Sequence, residues 1–412
     1  MHPGPSLPET VESRCCIAGG GPAGMMLGFL LARAGVEVLV LEKHADFLRD
    51  FRGDTVHAST LETMHELGLL EQFLKLPHQE LRQVRGRIGR DDLLLGELSY
   101  LRTQCRFIVL MPQWDFLDFL AQQGRRYPAF HLRMQSEVTG LVEENGRIVG
   151  IRGNTPEGVL EVRADLVIGA DGRNSVVREC AGLMVEDVGV SIDSLQARLS
   201  KHADDPKFMQ YSDRGKTMIT LDRGDYWHCG FPVAKGTADA MRARGIEDFR
   251  AGIVEVAPFF RDRVEELRDW NDVKVLTVRS DRLRRWYRPG LLCIGDAAHA
   301  MSPIGGVGIN LAIQDAVAAA NILAEPLRKG TVNLDHLASV QRRRSFPTRA
   351  TQRVQGILQK QLFRDLGKSE SSRLPLPLRL FELTTLPCRL RTRLIAVGFR
   401  PEHVKTRDVY AN

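Results

Sequence analysis

Residues 14–42, RCCIAGGGPAGMMLGFLLARAGVEVLVLE, constrain the fold more than any other stretch of this 412-residue chain. Cys15 to Ala18 is a short apolar run of the kind that forms a buried parallel strand. Gly19, Gly21 and Gly24 follow in G-x-G-x-x-G spacing. The first allows a tight turn, the second lets backbone approach a pyrophosphate, and the third lets helix and strand pack closely. A helix over about Ala23 to Ala34 then aims its N-terminal N–H groups at that phosphate. Gly28 extends the close packing, Gly35 ends the helix, and Val36 to Leu41 form a second strand. Glu42 closes that strand 18 residues after Gly24, where a carboxylate accepts ribose hydroxyls and repels a 2′-phosphate. The site is therefore expected to hold FAD or NAD rather than NADP, and the fingerprint alone does not separate those two.

The same region invites a different reading, because Cys15 to Ala32 is 18 residues without a charge. Its five glycines and one proline argue against a membrane helix. Glu9 and Glu12 precede it and no convincing cleavage site follows, so a signal peptide fits poorly. With 43% hydrophobic and 26% charged residues the chain reads as a soluble globular protein of two or three domains. The net charge of +6 is too diffuse to argue for nucleic acid. Seven cysteines without C-x-x-C spacing point to buried thiols in a reducing cytoplasm, with no metal site.

Two further motifs add specificity. DLVIGADGRNSVVR, residues 165–178, runs a strand from Leu166 to Ala170 into Asp171-Gly172. LLCIGDAAHAMSPIGGVGINLAIQD, residues 291–315, runs a strand from Leu291 to Ile294 into Gly295-Asp296. A loop with Pro303, Gly305, Gly306 and Gly308 then leads to a helix from about Ile309 to Ala324. Together with GGGPAG, and in this order, these motifs resemble the single-component FAD-dependent aromatic hydroxylases of the para-hydroxybenzoate hydroxylase fold. The likeness covers about residues 12–330.

That resemblance implies roles residue by residue. Gly19, Gly21, Pro22, Ala23, Gly24, Glu42 and Lys43 match the ADP-binding part. Arg52 matches an arginine that approaches FAD, and Gln113 a polar residue at the start of a helix beside the flavin. Asp171 and Gly172 match a motif associated with FAD and NAD(P)H, and Asp296 a carboxylate that binds a ribityl hydroxyl. The loop from Pro303 through Gly306, Val307, Gly308 and Ile309 to Asn310 matches the one lying along the isoalloxazine. Its glycines expose N–H groups, and the following helix dipole suits the negative charge of reduced flavin. Side chains there would block close approach. Val307 departs from the family pattern and makes that wall more apolar. Pro303 and Gly306 are the expected catalytic loop positions. His299, in A-A-H-A after the strand, is weighed as a general base against a structural role.

From about residue 186 to 285 the helical period weakens and KFMQYS, KTMITLD and YWHCGFPV read as strands. By resemblance this sheet roofs the flavin and shapes the substrate pocket. Met209, Tyr211, Met218, Tyr226, His228 and Phe231 are its candidate substrate contacts. Trp227-His228-Cys229-Gly230-Phe231-Pro232 lacks the second tryptophan of the halogenase signature, which disfavours halogenation. Asp335 to Arg364 reads as a helix that Pro347 should kink or end. Its seven Lys/Arg from Gln341 to Arg364 face no acid, and suit either a solvated cap or a weak membrane-surface contact.

The expected fold is α/β: a three-layer Rossmann-like FAD-binding domain, an inserted mixed or antiparallel β-sheet substrate domain, and a C-terminal helical region. The FAD domain takes residues 12–80, 102–185 and 286–330; a hairpin at 81–101 joins the sheet domain at 186–285; and 331–412 is the C-terminal region. The resemblance implies an NAD(P)H-dependent FAD monooxygenase that hydroxylates or epoxidises an aromatic or polyene-like lipophilic small molecule through a C4a-hydroperoxyflavin. Molecular oxygen is the co-substrate, nucleic acid is not a partner, and the chain is a monomer or homodimer. A reductase of the same fold, or a flavin-binding protein without turnover, is the alternative.

Overall fold

The first strand, Glu9–Ala18, changes character along its length. Glu9 to Arg14 alternates between exposed and half-buried, while Cys15 to Ala18 is sealed inside the molecule. The computed structural model describes residues 9–48, 55–189, 192–362 and 385–411. The first strand lies centrally in a sheet ordered 287–288, 291–293, 158–169, 9–18, 38–41, 130–133. Every pairing from 291–293 to 130–133 is parallel, which explains the unbroken apolar runs in these strands. Strands Arg147–Thr155 and Glu137–Glu144 extend the sheet antiparallel from Gly158–Gly169.

Helix Pro22–Arg33 packs on this sheet together with Gln113–Gly124 and Gly308–Lys329. A side chain at Gly24 would place Cβ 2.0 Å from the Gly19 carbonyl oxygen, so the third glycine of the fingerprint serves helix–strand contact. Gly308–Lys329 continues past the expected end at Ala324. It is long and apolar enough to cross a membrane by composition, and it is mostly buried as a core helix here.

A second sheet is ordered 274–276, 192–200, 226–234, 216–222, 210–213, 83–88, 91–97. Its pairings are antiparallel except that Gln210–Asp213 runs parallel to Gln83–Ile88, which brings the early hairpin into the later sheet. One face packs under helix Ile246–Val256, with Leu195, Trp227, Phe231, Phe249 and Phe260 in one cluster. A buried ion pair braces that cluster: Arg263 reaches Asp205 at 2.7 Å, and Trp227 Nε1 donates to the same carboxylate. Burial pushes the Asp205 carboxyl upward, but Arg263, the His202 N–H and Trp227 outweigh it and hold it at about 2.

Helix Leu334–Leu362 runs on through Pro347, so the proline does not end it. Side-chain anchors hold it to the fold on the N-terminal side of the proline. Arg344 is 1% exposed and donates from Nε to Asp315 at 2.8 Å, and Arg343 pairs with Glu402. Part of the basic run expected as a solvated face is therefore internal to the fold. Beyond helix Thr385–Ala396, the chain returns along the first domain, where Asp408 accepts from Tyr127 at 2.8 Å.

Candidate active site

A cavity of about 1030 Å³ runs between the two sheets. Its floor begins at Gly19, Gly21, Pro22 and Ala23, where strand turns into helix. Gly19 has φ +105, and a Cβ there would sit 2.4 Å from the Ala170 carbonyl oxygen. Gly21 is different: a Cβ built on it meets nothing within 4 Å, because it would project into open cavity. Glu42 and Lys43 form the adjoining wall. One Glu42 oxygen accepts from the Gly20 N–H at 3.0 Å and the other from the His44 N–H at 3.1 Å. The carboxylate is thus fixed at the strand end before any ligand arrives.

Further along, Gln113, Asp171, Gly172 and Asp296 line the same cavity. Asp171 accepts from Ser175 Oγ at 2.5 Å and from the Val177 N–H at 3.1 Å, so it also caps helix Val176–Cys180. Burial raises the Asp171 carboxyl, and these donors oppose that rise. Asp296 is about a third exposed and lies 3.5 Å from Arg173 Nη2. Arg52 falls outside the described residues.

The loop after Asp296 contributes Pro303, Gly306, Gly308 and Ile309 to the wall. Gly306 has φ +62, and a Cβ on it would meet Thr55 Oγ1 at 2.2 Å. Its lack of a side chain serves contact with Thr55, while its backbone stays in the cavity wall. Val307 and Asn310 are not among the described residues lining the cavity. Val307 is buried behind the loop. Asn310 clamps the loop from behind, donating to Thr55 O and Gly306 O and accepting from the His57 N–H at 2.8 Å.

His299 does not reach the cavity either. It is 1% exposed, its Nε2 lies 2.5 Å from Asp315 Oδ2, and its ring sits 5.0 Å from Trp286. Asp315 also binds Arg344 and the Gly295 N–H, so it is fully engaged. Burial raises its carboxyl, but His299 and Arg344 prevail and lower it. The general-base reading of His299 is corrected: it is a structural member of a buried network beneath the Asp296 turn.

Among the six substrate-contact candidates, Met209 and His228 line the cavity. Tyr211, Met218 and Phe231 point to the opposite face and belong to the core under helix Ile246–Val256. Tyr226 lies under the Arg198 guanidinium and is not among the lining residues. The inward positions are Ser194 and Gln196, Gln210 and Ser212, Thr217 and Ile219. Alternation on the strands separates two faces, but the large apolar and aromatic side chains pack in the core while mostly polar ones face the cavity, opposite to the expectation for a pocket built of aromatic contacts.

Two contributors carry no local signature. Helix Thr385–Ala396 puts Arg391, Thr392 and Ile395 into the wall. His57 is also in the wall, with Nδ1 donating to the Ile395 carbonyl at 2.9 Å and Nε2 without a partner among the described residues. Burial lowers the His57 imidazole to about 4, against a small opposing effect of that carbonyl. The open space at Gly21, the helix N-terminus behind it and the fixed Glu42 fit an adenine dinucleotide.

Comparisons with known proteins agree with this geometry. The family model described as an FAD binding domain matches residues 12–354. The chain is 33% identical over 373 residues to a 6-methylpretetramide 4-monooxygenase of Streptomyces rimosus, covering 89% of this chain and 88% of that protein. It is 25% identical to a para-nitrophenol 4-monooxygenase of a Pseudomonas species, covering 82% and 84%. PqsL of Pseudomonas aeruginosa, solved with 2-aminobenzoylacetate, superposes with a TM-score of 0.74 at 20% identity, covering 86% of this chain and 98% of that one.

Proposed function

Because this chain belongs to the FAD binding domain family of FAD-dependent monooxygenases, we propose that it hydroxylates an aromatic, multi-ring small molecule. NAD(P)H is the reductant: one aromatic C–H, one O₂, one NAD(P)H and one proton give a phenol, NAD(P)⁺ and water. The observation that carries the reading is a single cavity joining the dinucleotide cradle at Gly21 to the inner face of the second sheet. FAD, when bound, supplies the redox and oxygen-activating chemistry. The chain's own residues bind, orient and shield. Gly19 to Ala23, Glu42 and Asp296 all line the cavity; the first six would hold the ADP part and Asp296 would take a ribityl hydroxyl. The N-terminus of helix Gly308–Lys329 borders the cavity and would set positive potential beside the negative charge of a reduced flavin.

The second sheet and helix Thr385–Ala396 enclose the substrate and keep water out. A volume of about 1030 Å³ leaves room for a multi-ring substrate beside a dinucleotide, and the relative acting on 6-methylpretetramide supports that class. The seven cysteines are free thiols, six of them buried, which supports a reducing cytoplasmic setting.

The deciding experiment supplies ¹⁸O₂, NADH or NADPH and a panel of polycyclic phenols to the FAD-loaded protein. One ¹⁸O atom per product molecule is expected by mass spectrometry. Product formed without label would move the chain to the reductase alternative.

A further inference from the structure

The inner face of the second sheet is not the apolar surface that alternation in a buried sheet leads one to expect. Ser194, Gln196, Gln210, Ser212, Thr217 and His228 are all buried polar residues and all line the cavity. They form two separate hydrogen-bonded groups. In the first, Gln196 Nε2 donates to Ser194 Oγ at 2.6 Å, and its Oε1 lies 2.6 Å from His228 Nε2. Because the carboxamide oxygen only accepts, His228 Nε2 is the donor. In the second, Gln210 Nε2 donates to Ser212 Oγ at 2.9 Å, and Ser212 Oγ pairs with Thr217 Oγ1 at 3.0 Å. Gln196 is therefore oriented by Ser194 on its own strand and by His228 on the neighbouring one, and Gln210 by Ser212 on its own strand.

The register places the two glutamines in one row. Gln196 lies opposite Gly230, Gly230 opposite Ile219, and Ile219 opposite Gln210. Three strand spacings separate their Cα atoms by roughly 14 Å. Between them the row holds only Gly230 and Ile219. A Cβ on Gly230 would lie 3.4 Å from Gln196 Nε2, so the missing side chain makes room for that carboxamide over the strand. The result is a shallow apolar trough with a fixed amide at each end. One N–H of each carboxamide and the Gln210 carbonyl oxygen have no partner among the described residues. These atoms open to the cavity and are not sealed from water, so a ligand that displaces that water must replace its hydrogen bonds.

We propose that Gln196 and Gln210 are specificity-determining residues that read oxygen substituents at the two ends of one edge of a planar fused-ring substrate. The inference rests on the cavity being the substrate chamber, and it adds which substituents are recognised and by which side chains. A ring system lacking oxygen at either end would leave one carboxamide unsatisfied. A single small phenol could not engage both.

The test is equilibrium binding to the FAD-loaded protein, read as perturbation of flavin absorbance without NAD(P)H, so that it is independent of turnover. The probes are 2,7-dihydroxyanthraquinone, whose hydroxyls lie at the two ends of one edge, 2-hydroxyanthraquinone and anthraquinone. The wild-type protein should bind the dihydroxy probe tightest, with each hydroxyl contributing about tenfold. Gln196→Met and Gln210→Met should each remove about one tenfold step for the dihydroxy probe and leave anthraquinone affinity unchanged. Equal affinity of the wild type for all three probes would overturn the proposal without any variant. So would a loss in the variants that is the same for every probe, because that would mark a packing defect. Discrimination without labelled product would retain this proposal and reject oxygen insertion, so the two readings fail separately.

Discussion

At the scale of single residues, the three fingerprint glycines have separable duties. Gly21 has ordinary extended dihedrals, φ −75 and ψ −176, and open space where Cβ would go. Gly21→Ala should fold with stability within about 0.5 kcal/mol of wild type and lose FAD affinity about tenfold or more, measured by flavin titration of the apoprotein. Gly24→Ala should fail earlier, because its Cβ would meet the Gly19 carbonyl oxygen at 2.0 Å. Soluble, folded Gly24→Ala would contradict that account. His57 gives a pH signature. Its folded-state value of about 4 lies below the ordinary 6.5, so the unfolded chain binds the extra proton. Above pH 6.5 there is no penalty; stability falls as pH drops from 6.5 toward 4, by at most about 3 kcal/mol. His57→Gln should flatten urea-melt stability across that window, and an unchanged slope would assign it to other groups. The glycine and carboxylate positions were legible in sequence because backbone geometry demands particular residue types. His299 and the sheet-facing positions were not, since a histidine after a strand and an aromatic on a strand look alike whichever way they point.

Among the elements, the least legible was helix Leu334–Leu362. Helical period and composition gave its extent, yet Pro347 argued for a kink or an end, and the helix does not end there. What the sequence could not display is the long-range anchor, Arg344 to Asp315, across 29 positions of chain. The same Asp315 accepts from the Gly295 N–H and from His299, so a C-terminal helix braces the turn that carries Asp296. Arg344→Met removes one partner of a buried charge and should cost about 3–5 kcal/mol in denaturant melts. It should also weaken FAD retention more than Arg342→Met, since Arg342 is exposed and, among the described residues, bonds only Ser339 on its own helix. Adding Asp315→Leu to Arg344→Met should recover part of the lost stability, because the stranded carboxylate is gone. No recovery would mean that His299 and Gly295 need the carboxylate more than Arg344 does. Helix Thr385–Ala396 was equally hidden as a cavity wall: the Thr392 hydroxyl accepting from the Glu97 N–H, 295 positions away, has no local trace.

For the whole molecule, three motifs in order were enough to indicate two layers around a flavin site, because each motif is locally encoded. That the 81–101 hairpin joins the second sheet was expected, but its parallel pairing with Gln210–Asp213 was not, since pairing across more than a hundred residues leaves no local pattern. That joining matters for how the molecule melts. The two largest hydrophobic cores are distinct clusters, and the two sheets face each other across the shared cavity. The four tryptophans divide between them: Trp114 and Trp286 report on the first core, Trp227 and Trp270 on the second. FAD binding the native state at a hundredfold excess over its Kd adds about 2.7 kcal/mol. If the cavity couples the layers, that stabilisation should reach the second core although its residues do not hold the ADP part. In a Trp114→Phe/Trp286→Phe protein, the fluorescence transition should therefore rise on FAD loading and coincide with flavin release. An FAD-independent transition of Trp227 and Trp270 would mean that the second sheet folds and melts alone. The cavity would then be a cleft between independent units, and the substrate roof would have to close only after the cofactor is in place.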